Sequence, residues 1–207
     1  MLFRSDWVNE TPVNNNLEGE RYRSLTYWWY DRMLAEETNM REKMVLFWHN
    51  HFVSARDKVN YPQHMYIQNA LFRRMAWGNF RQLTKEVTID PAMLIYLDGR
   101  LSRNNSPNEN YARELMELFT LGIGNYTEED IKQAALALTG WQVNGLTATF
   151  VPSRFANSNK TFFGKTGNFN HENIIDIILE KPQAAEFVCR KLYKEFVFYK
   201  PNEAFSD

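Results

Sequence analysis

Helix start and stop signals recur along almost the whole chain, and they constrain its fold more than any other feature. The clearest set lies in SPNENYARELMELFTLG, where Ser106 fits an N-cap and Pro107 the first helical position. Glu109 fits the partner in a capping box, and Gly122 follows the last apolar residues as a stop. This segment therefore predicts a helix that begins after Ser106 and ends before Gly122.

The same signals predict a series of further helices. Capping boxes are predicted at Asn39 with Glu42 and at Thr127 with Asp130, and Asp90 fits an N-cap followed by a proline. The predicted helices cover about residues 18–37, 40–53, 60–77, 79–88, 90–98, 127–140, 172–180 and 183–198.

One region departs from the helical pattern. In GWQVNGLTATFV the pair Asn144-Gly145 separates two short β-prone runs, as in a hairpin. KTFFGKTGNF adds another extended piece, and residues 153–170 read as a surface loop. The sequence predicts a mainly α, multi-helix bundle-like domain, with a β-hairpin near 141–151 and a hairpin-and-loop insertion over 141–170.

Length and composition fit one folded domain over residues 1–207. Apolar residues make up 44% of the chain and aromatic residues 15%, which is typical of an ordered globular protein. The formal net charge of −1 gives no general attraction to nucleic acid, and no apolar run reaches the length of a membrane span. Because the chain ends just past a helical pattern, we expect it to be a fragment of a longer protein.

The single cysteine excludes an internal disulfide framework. Cys189 shares a predicted helical stripe with Ala185, Val188, Leu192 and Phe196. This stripe predicts a buried, inert thiol rather than a nucleophile.

The stretch FWHNHF places His49 and His51 two positions apart. On a strand the two imidazoles would face the same way and could share a metal ion, whereas on a helix they diverge by about 200°. The surrounding REKMVLFWHNHF reads as a buried helix, so the pair favours core histidines held by hydrogen bonds. A role in metal binding or acid–base catalysis is the alternative for either one.

The acidic segment after residue 106 allows three interpretations. Glu109, Arg113 and Glu117 stand at i, i+4 and i+8, which suits a surface ladder of salt bridges. Glu114 and Glu117 on one face would instead suit metal ligands or a general acid–base pair. In the third interpretation Asn110, Arg113 or Glu114 donates to or accepts from a histidine of the facing helix and locks two central helices together.

Other groups of functional residues have ordinary structural explanations. No segment resembles a zinc-protease helix, a phosphate-binding loop, a dinucleotide fingerprint or a nucleophile elbow. A basic and aromatic cluster suits an anion site, but the near-neutral chain does not favour nucleic acid. The cations of this cluster are Arg73, Arg74, Arg81 and Lys85.

Several long motifs follow one another over about residues 41–197: REKMVLFWHNHF, DPAMLIYLD, PNENYARELMELFTLGIGNYTEEDI, ALALTGW, KTFFGKTGNF and IIDIILEKPQAAEFVCRKLYKEFV. In this order they resemble a bacterial family known as domain-of-unknown-function family 1800. The resemblance implies an extracytoplasmic protein, periplasmic, secreted or on the cell surface, and a domain considerably longer than this chain. It implies no activity. The shared motifs include His49, Asn50, His51, Asp90, Asp98, Asn108, Glu109, Asn110, Arg113 and Glu114.

The chain departs from the family pattern at one place. Where the family tends to have a His-Asp pair before the Lys-Thr-Phe segment, this sequence has Phe155 and Ala156. If that pair formed part of a catalytic site, this protein would lack part of the site.

These observations lead to two functional hypotheses. The first is a domain that binds an envelope polysaccharide, a peptide or a partner protein. The second is a hydrolase that depends on a divalent metal and uses His49 or His51 together with Glu109, Glu114 or Glu117, with Asp90 as a further candidate. The catalytic candidates are His49, His51, Glu109, Arg113 and Glu114, and the metal-ligand candidates are His49, His51, Glu114 and Glu117.

Overall fold

A computed structural model describes residues 6–12, 17–35 and 40–198. Within these residues the fold is mainly α, as predicted, with two small antiparallel hairpins. The helices are α1 (Glu18–Ala35), α2 (Arg41–His51), α3 (Pro62–Arg74), α4 (Phe80–Thr88), α5 (Pro91–Tyr96), α6 (Glu109–Glu114), α7 (Glu128–Ala137), α8 (His171–Ile178) and α9 (Pro182–Phe196). The strands are β1 (Trp141–Asn144), β2 (Thr147–Phe150), β3 (Lys160–Phe162) and β4 (Lys165–Gly167).

Two of the predicted helix starts, at Asp90 and Thr127, are confirmed by cap hydrogen bonds. Asp90 accepts from the backbone N–H of Met93 at the start of α5. Thr127 and Asp130 form the reciprocal capping box that opens α7. The predicted cap at Asn39 lies outside the described residues.

The start predicted at Ser106 is wrong. Ser106 instead pairs with Arg103 in an isolated antiparallel bridge, so its backbone groups are already engaged. Asn108 caps α6 by accepting from the N–H of Asn110, and its amide also donates to the carbonyl of Leu97. The helix therefore begins at Glu109, two residues later than expected.

The second half of the same segment is a π-helix, Leu115–Thr120, that continues directly from α6. The backbone N–H groups of Leu121 and Gly122 both donate to the carbonyl of Met116, and Gly122 ends the segment at φ +79°. A π-helix widens the turn and redirects the following carbonyls, and such segments are rare in helices.

The predicted hairpin over 141–151 is confirmed by β1 and β2. Its register pairs Asn144 with Thr147 around a tight turn in which Gly145 has φ +57°. The expectation of a loop over 153–170 is only partly right, because β3 and β4 form a second hairpin there. Lys160 and Phe162 of that hairpin are buried, which explains why the polar composition of the stretch misled the prediction.

The core surrounds α2 and its C-cap Phe52, whose aromatic side chains contact residues of α3, α4, the π-helix and α9. The prediction of a buried central helix is confirmed by Val45, Phe47, Trp48 and Phe52, each at most 5% exposed. Large core partners from the other elements include Phe72, Leu83, Leu115, Met116, Phe119, Ile131 and Ile175.

The predicted burial of Cys189 is wrong, because this thiol is exposed. The buried seam of α9 runs through Ala184 and Val188, whereas Ala185 lies on the exposed side. The predicted stripe is therefore partly right: Val188 is buried and Leu192 and Phe196 pack against the core, whereas Ala185 and Cys189 are exposed.

None of the helices in the described ranges is long and apolar enough to cross a membrane.

Candidate functional site

The two histidines of FWHNHF both lie in α2, but they contact different parts of the fold. His49 faces α1 and α3, where its ring packs against Trp29 and Phe72 with both centroid separations at 4.7 Å. His51 faces the π-helix and α9, and only 3% of its surface is exposed. The two imidazoles therefore point in different directions, as expected for residues two positions apart on a helix.

His49 belongs to a polar network that joins α2 to α3. Its Nε2 accepts a hydrogen bond of 3.0 Å from the side-chain amide of Asn69, whose oxygen accepts from Arg73 at 2.7 Å. The guanidinium of Arg73 donates to both oxygens of Glu42, at 2.6 and 2.7 Å, and Trp29 donates to the same carboxylate at 3.0 Å. The network thus includes three helices, α1, α2 and α3.

Charges in this network are set by burial and by the bidentate pair. Burial opposes ionisation of Glu42, but the hydrogen bonds and charge of Arg73 outweigh it, so the pKa of the carboxyl is lowered. Burial lowers the pKa of His49 to about 3, and the positive charge of Arg73 adds to this effect. His49 is therefore neutral at physiological pH and acts as an acceptor.

His51 connects α2 to the π-helix through the backbone. Its Nε2–H donates to the carbonyl oxygen of Phe119 at 2.9 Å. Its Nδ1 lies 3.4 Å from Nζ of Lys191, which donates to it and also to the carbonyl of Leu118 at 2.8 Å. Burial, together with the Lys191 charge, lowers the pKa of His51 to about 3. The imidazole is thus a neutral link between α2, the π-helix and α9.

The π-helix explains why two consecutive carbonyls are available to these side chains. Leu118 and Phe119 lie in its last turn, where carbonyl groups lack intrahelical donors. Lys191 also places a positive charge at this C-terminal end, which complements the helix dipole. The predicted partners Asn110, Arg113 and Glu114 are wrong, because the facing segment holds the histidine through its backbone.

The charged residues of α6 and the π-helix pair elsewhere than predicted. Arg113 makes a bidentate ion pair with Glu128 of α7, both contacts at 2.8 Å, so the expected ladder with Glu109 and Glu117 is wrong. Glu117 accepts from the hydroxyl of Tyr126 at 2.5 Å. Burial, with a further contribution from Glu117, raises the pKa of Glu114. The environment of Glu114 therefore favours its neutral acid form.

The candidate metal ligands do not form a cluster. Across residues 6–12, 17–35 and 40–198, no group of three or more His, Cys, Asp or Glu side chains lies close enough to hold a metal ion. His49 is bonded to Asn69, His51 to a carbonyl and Glu117 to a tyrosine. The catalytic and metal roles proposed for these side chains remain predictions.

The structure also has a groove between α3 and the α4–α5 junction that the sequence did not point to. Its volume is about 460 Å³, within the range of small-ligand sites in proteins. It is lined by Tyr66, Ile67, Ala70, Leu71, Arg74, Glu86, Ile89, Asp90 and Pro91. We refer to these nine residues as the α3–α5 groove.

Asp90 is the buried polar group of this groove, with 4% of its surface exposed. Its carboxyl accepts from the Met93 N–H at 3.0 Å and from the amide of Gln68 at 2.9 Å. Burial nevertheless dominates and raises the pKa of Asp90 to about 7. The sequence identified Asp90 as a helix cap, but the burial that gives it this second property depends on tertiary packing.

A further histidine and the residues at the family's His-Asp position also have structural partners. His64 is buried and donates from Nε2 to the carbonyl of Gly145 in the hairpin turn. Ala156 and Phe155, where the family has its His-Asp pair, both contact Lys160. Its ammonium donates to the Ala156 carbonyl at 2.6 Å and lies 4.6 Å from the centre of the Phe155 ring.

The four cations of the basic cluster all face carboxylates. Arg73 pairs with Glu42 and Arg74 with Glu86. Arg81 and Lys85 share Asp176 of α8, each at 2.8 Å. Ion pairs within the fold therefore explain why these four basic residues are present.

Replacing Arg73 by methionine should destabilise the protein strongly. The substitution leaves the buried Glu42 carboxylate without its ion-pair partner, a change that costs about 3 kcal/mol or more in comparable sites. The free energy of unfolding in urea measures the effect. Arg113→Met removes an exposed ion pair of similar geometry and should cost much less. Equal losses for the two variants would contradict a structural role for the buried network.

The stability of the folded protein should depend on pH through three buried groups. The unfolded chain protonates histidine near pH 6.5, but folded His49 and His51 stay neutral down to about pH 3. Stability from these two groups is therefore present above pH 6.5 and is lost as the pH falls towards 3. Asp90 acts in the opposite direction, because its folded pKa of about 7 exceeds the unfolded value of 3.8. Its burial costs stability as the pH rises from 4 to 7.

Two variants separate these contributions. The free energy of unfolding in urea would be plotted against pH between 4 and 7, where its slope measures how many more protons the unfolded chain binds than the folded protein. His51→Gln should lower this number by about one, and Asp90→Asn should raise it by about one. Unchanged slopes in both variants would show that neither group has the shifted pKa given above.

Comparison with known proteins identifies the family of the chain but gives no information on its activity. The family described as "Protein of unknown function (DUF1800)" matches residues 5–207, which is nearly the whole chain. No curated protein and no solved structure matches the sequence or the fold. The resemblance noted in the motifs is confirmed over this longer range: the chain belongs to the DUF1800 family of proteins of unknown function.

Proposed function

We propose that this domain acts by binding, in an extracytoplasmic protein of a bacterium, and that the α3–α5 groove is its binding site. The observation that supports this proposal is the combination of volume and lining in one place. Apolar side chains make up most of the wall, and a few polar groups converge on it, as in most small-ligand sites. The extracytoplasmic location rests on the family resemblance of the motifs.

The groove is also built on rigid elements. Tyr66, Ile67, Ala70 and Arg74 project from α3 at the helical spacing that places them on neighbouring positions of one face. Glu86 ends the opposite wall, where it is held by Arg74 at 2.5 Å and by Gln82 of α4 at 3.1 Å. A site on packed helices is held more precisely than one on loops, so ligand binding needs little reorganisation.

A metal-dependent hydrolase has less support from the geometry. Its proposed ligands from FWHNHF are bonded to Asn69 and to the Phe119 carbonyl, and Glu117 accepts from the hydroxyl of Tyr126. Hydrolysis would therefore need His49 or His51 to leave buried hydrogen bonds before it could meet Glu114 or Glu117.

Filling the groove with a large side chain tests the proposal. Ala70 is exposed on α3 within the groove, and Ala185 is an exposed alanine of α9, away from it. Immobilised protein would be incubated with fractionated envelope glycans, lipids and peptides, and the bound material identified by mass spectrometry. Ala70→Trp should abolish binding, whereas Ala185→Trp should retain it, since both add the same ring to a helix surface.

Two results would overturn the proposal. Equal binding by the wild type and Ala70→Trp would place any binding site elsewhere. No retention from any fraction by folded wild-type protein would count against a binding role altogether. Circular dichroism and urea unfolding of both variants would show whether they remain folded.

A further inference from the structure

We infer that the α3–α5 groove binds a neutral saccharide, through an apolar wall for the C–H face of a sugar and a planar ion pair at its edge for the hydroxyls. This inference rests on the proposed function and specifies the class of ligand. Three features of the groove support it: its charges balance, its polar groups can form further hydrogen bonds, and its wall is largely apolar.

The two charged side chains at the edge of the groove neutralise each other. Nη2 of Arg74 donates to Oε2 of Glu86 at 2.5 Å, so a positive and a negative group stand side by side. A ligand with a net charge would be attracted by one and repelled by the other. A neutral ligand gains hydrogen bonds from both without that conflict.

The same pair retains capacity for a polar ligand. Among the described residues, Arg74 makes its side-chain hydrogen bond through one terminal nitrogen, and a guanidinium has five N–H donors. Each oxygen of Glu86 accepts one hydrogen bond, from Arg74 or from Gln82, and a carboxylate oxygen has a second lone pair. A donor and an acceptor that are paired side by side match two neighbouring hydroxyls, each of which both donates and accepts.

Asp90 does not disturb the charge balance. Its carboxyl lies deep in the wall, where the Gln68 amide and the Met93 N–H already donate to it. Because burial raises its pKa to about 7, a large share of it is uncharged near neutrality. The groove therefore has no strong net charge to select an anionic or a cationic ligand.

The wall provides a surface for the apolar face of a sugar ring. Tyr66 lies in the groove beside Ile67 of α3, and Ile89 and Pro91 form the opposite side. The Tyr66 ring is also in contact with the ring of Trp28, with the centroids 5.3 Å apart. This contact fixes the orientation of the aromatic surface. Flat aromatic and aliphatic side chains beside planar polar groups suit a ring that has one C–H face and hydroxyls at its edge.

A peptide fits these features less well. Recognition of an extended peptide uses the free edge of a sheet, and recognition of a helix uses an apolar groove with anchors at helical spacing. The α3–α5 groove is formed by helices and contains no strand edge, and its rim is an ion pair. A peptide is therefore treated as an outcome of the test.

Titration calorimetry with defined oligosaccharides tests the inference on the intact protein. The neutral probes are cellohexaose, maltohexaose and N-acetylated chitohexaose. The charged probes are oligogalacturonate and deacetylated chitohexaose. At least one neutral probe should bind, and its affinity should change little between 50 and 500 mM salt because no net charge is neutralised.

Two substitutions in the groove provide the structural test. Glu86→Gln keeps the shape of the side chain but removes the charged acceptor, and it should weaken binding of the neutral probe by roughly ten-fold or more. Tyr66→Leu should weaken it by a similar factor. Glu128→Gln removes an exposed, paired carboxylate of α7, far from the groove in the chain, and should leave the affinity unchanged.

The outcomes separate this inference from the proposed function. The inference is overturned if only the charged probes bind. It is also overturned if a neutral probe binds but Glu86→Gln and Tyr66→Leu both leave its affinity unchanged. If no saccharide binds but an envelope peptide or lipid is retained in a manner sensitive to Ala70→Trp, the saccharide inference fails and the groove remains a binding site. If Ala70→Trp has no effect on any retained ligand, both fail together.

Discussion

The burial of α2 is the constraint on which the rest of the structure depends. A helix enclosed on most sides by apolar side chains must still satisfy every polar group that it brings into the core. Glu42, His49 and His51 are those groups, and each is met by a different neighbour: a guanidinium of α3, an amide of α3 and a carbonyl of the π-helix. These contacts determine how α1, α3, the π-helix and α9 sit around α2.

This arrangement changes the interpretation of the motif that first suggests chemistry. Two imidazoles beside a carboxylate-rich helix look like parts of a catalytic site, yet both are neutral and engaged as hydrogen-bonding links. Arg113 of α6 instead donates to Glu128 of α7, and Glu117 of the π-helix accepts from Tyr126. The polar groups that converge on an open concave surface are instead Arg74, Glu86 and Asp90, and for this reason the functional proposal rests on the α3–α5 groove.

The sequence predicted the elements of the fold well because their signals are local. The caps at Asp90 and Thr127 and the hairpin turn at Gly145 depend on residues within a few positions. What it missed depends on tertiary packing. Nothing in ELMELFT distinguishes a π-helix from an α-helix, so the link from His51 to the Phe119 carbonyl was not foreseen. The groove was missed for the same reason, since its walls come from segments that are separated by a turn and a helix.

The central claim is that the histidines of FWHNHF are neutral links within the core. Nitrogen-15 NMR of the imidazole rings at pH 5 tests it most directly, because ring shifts report both protonation and tautomer. The structure predicts two neutral rings: His51 protonated at Nε2, which donates to Phe119, and His49 protonated at Nδ1, because its Nε2 accepts from Asn69. Doubly protonated rings at pH 5, or the opposite tautomers, would contradict the account.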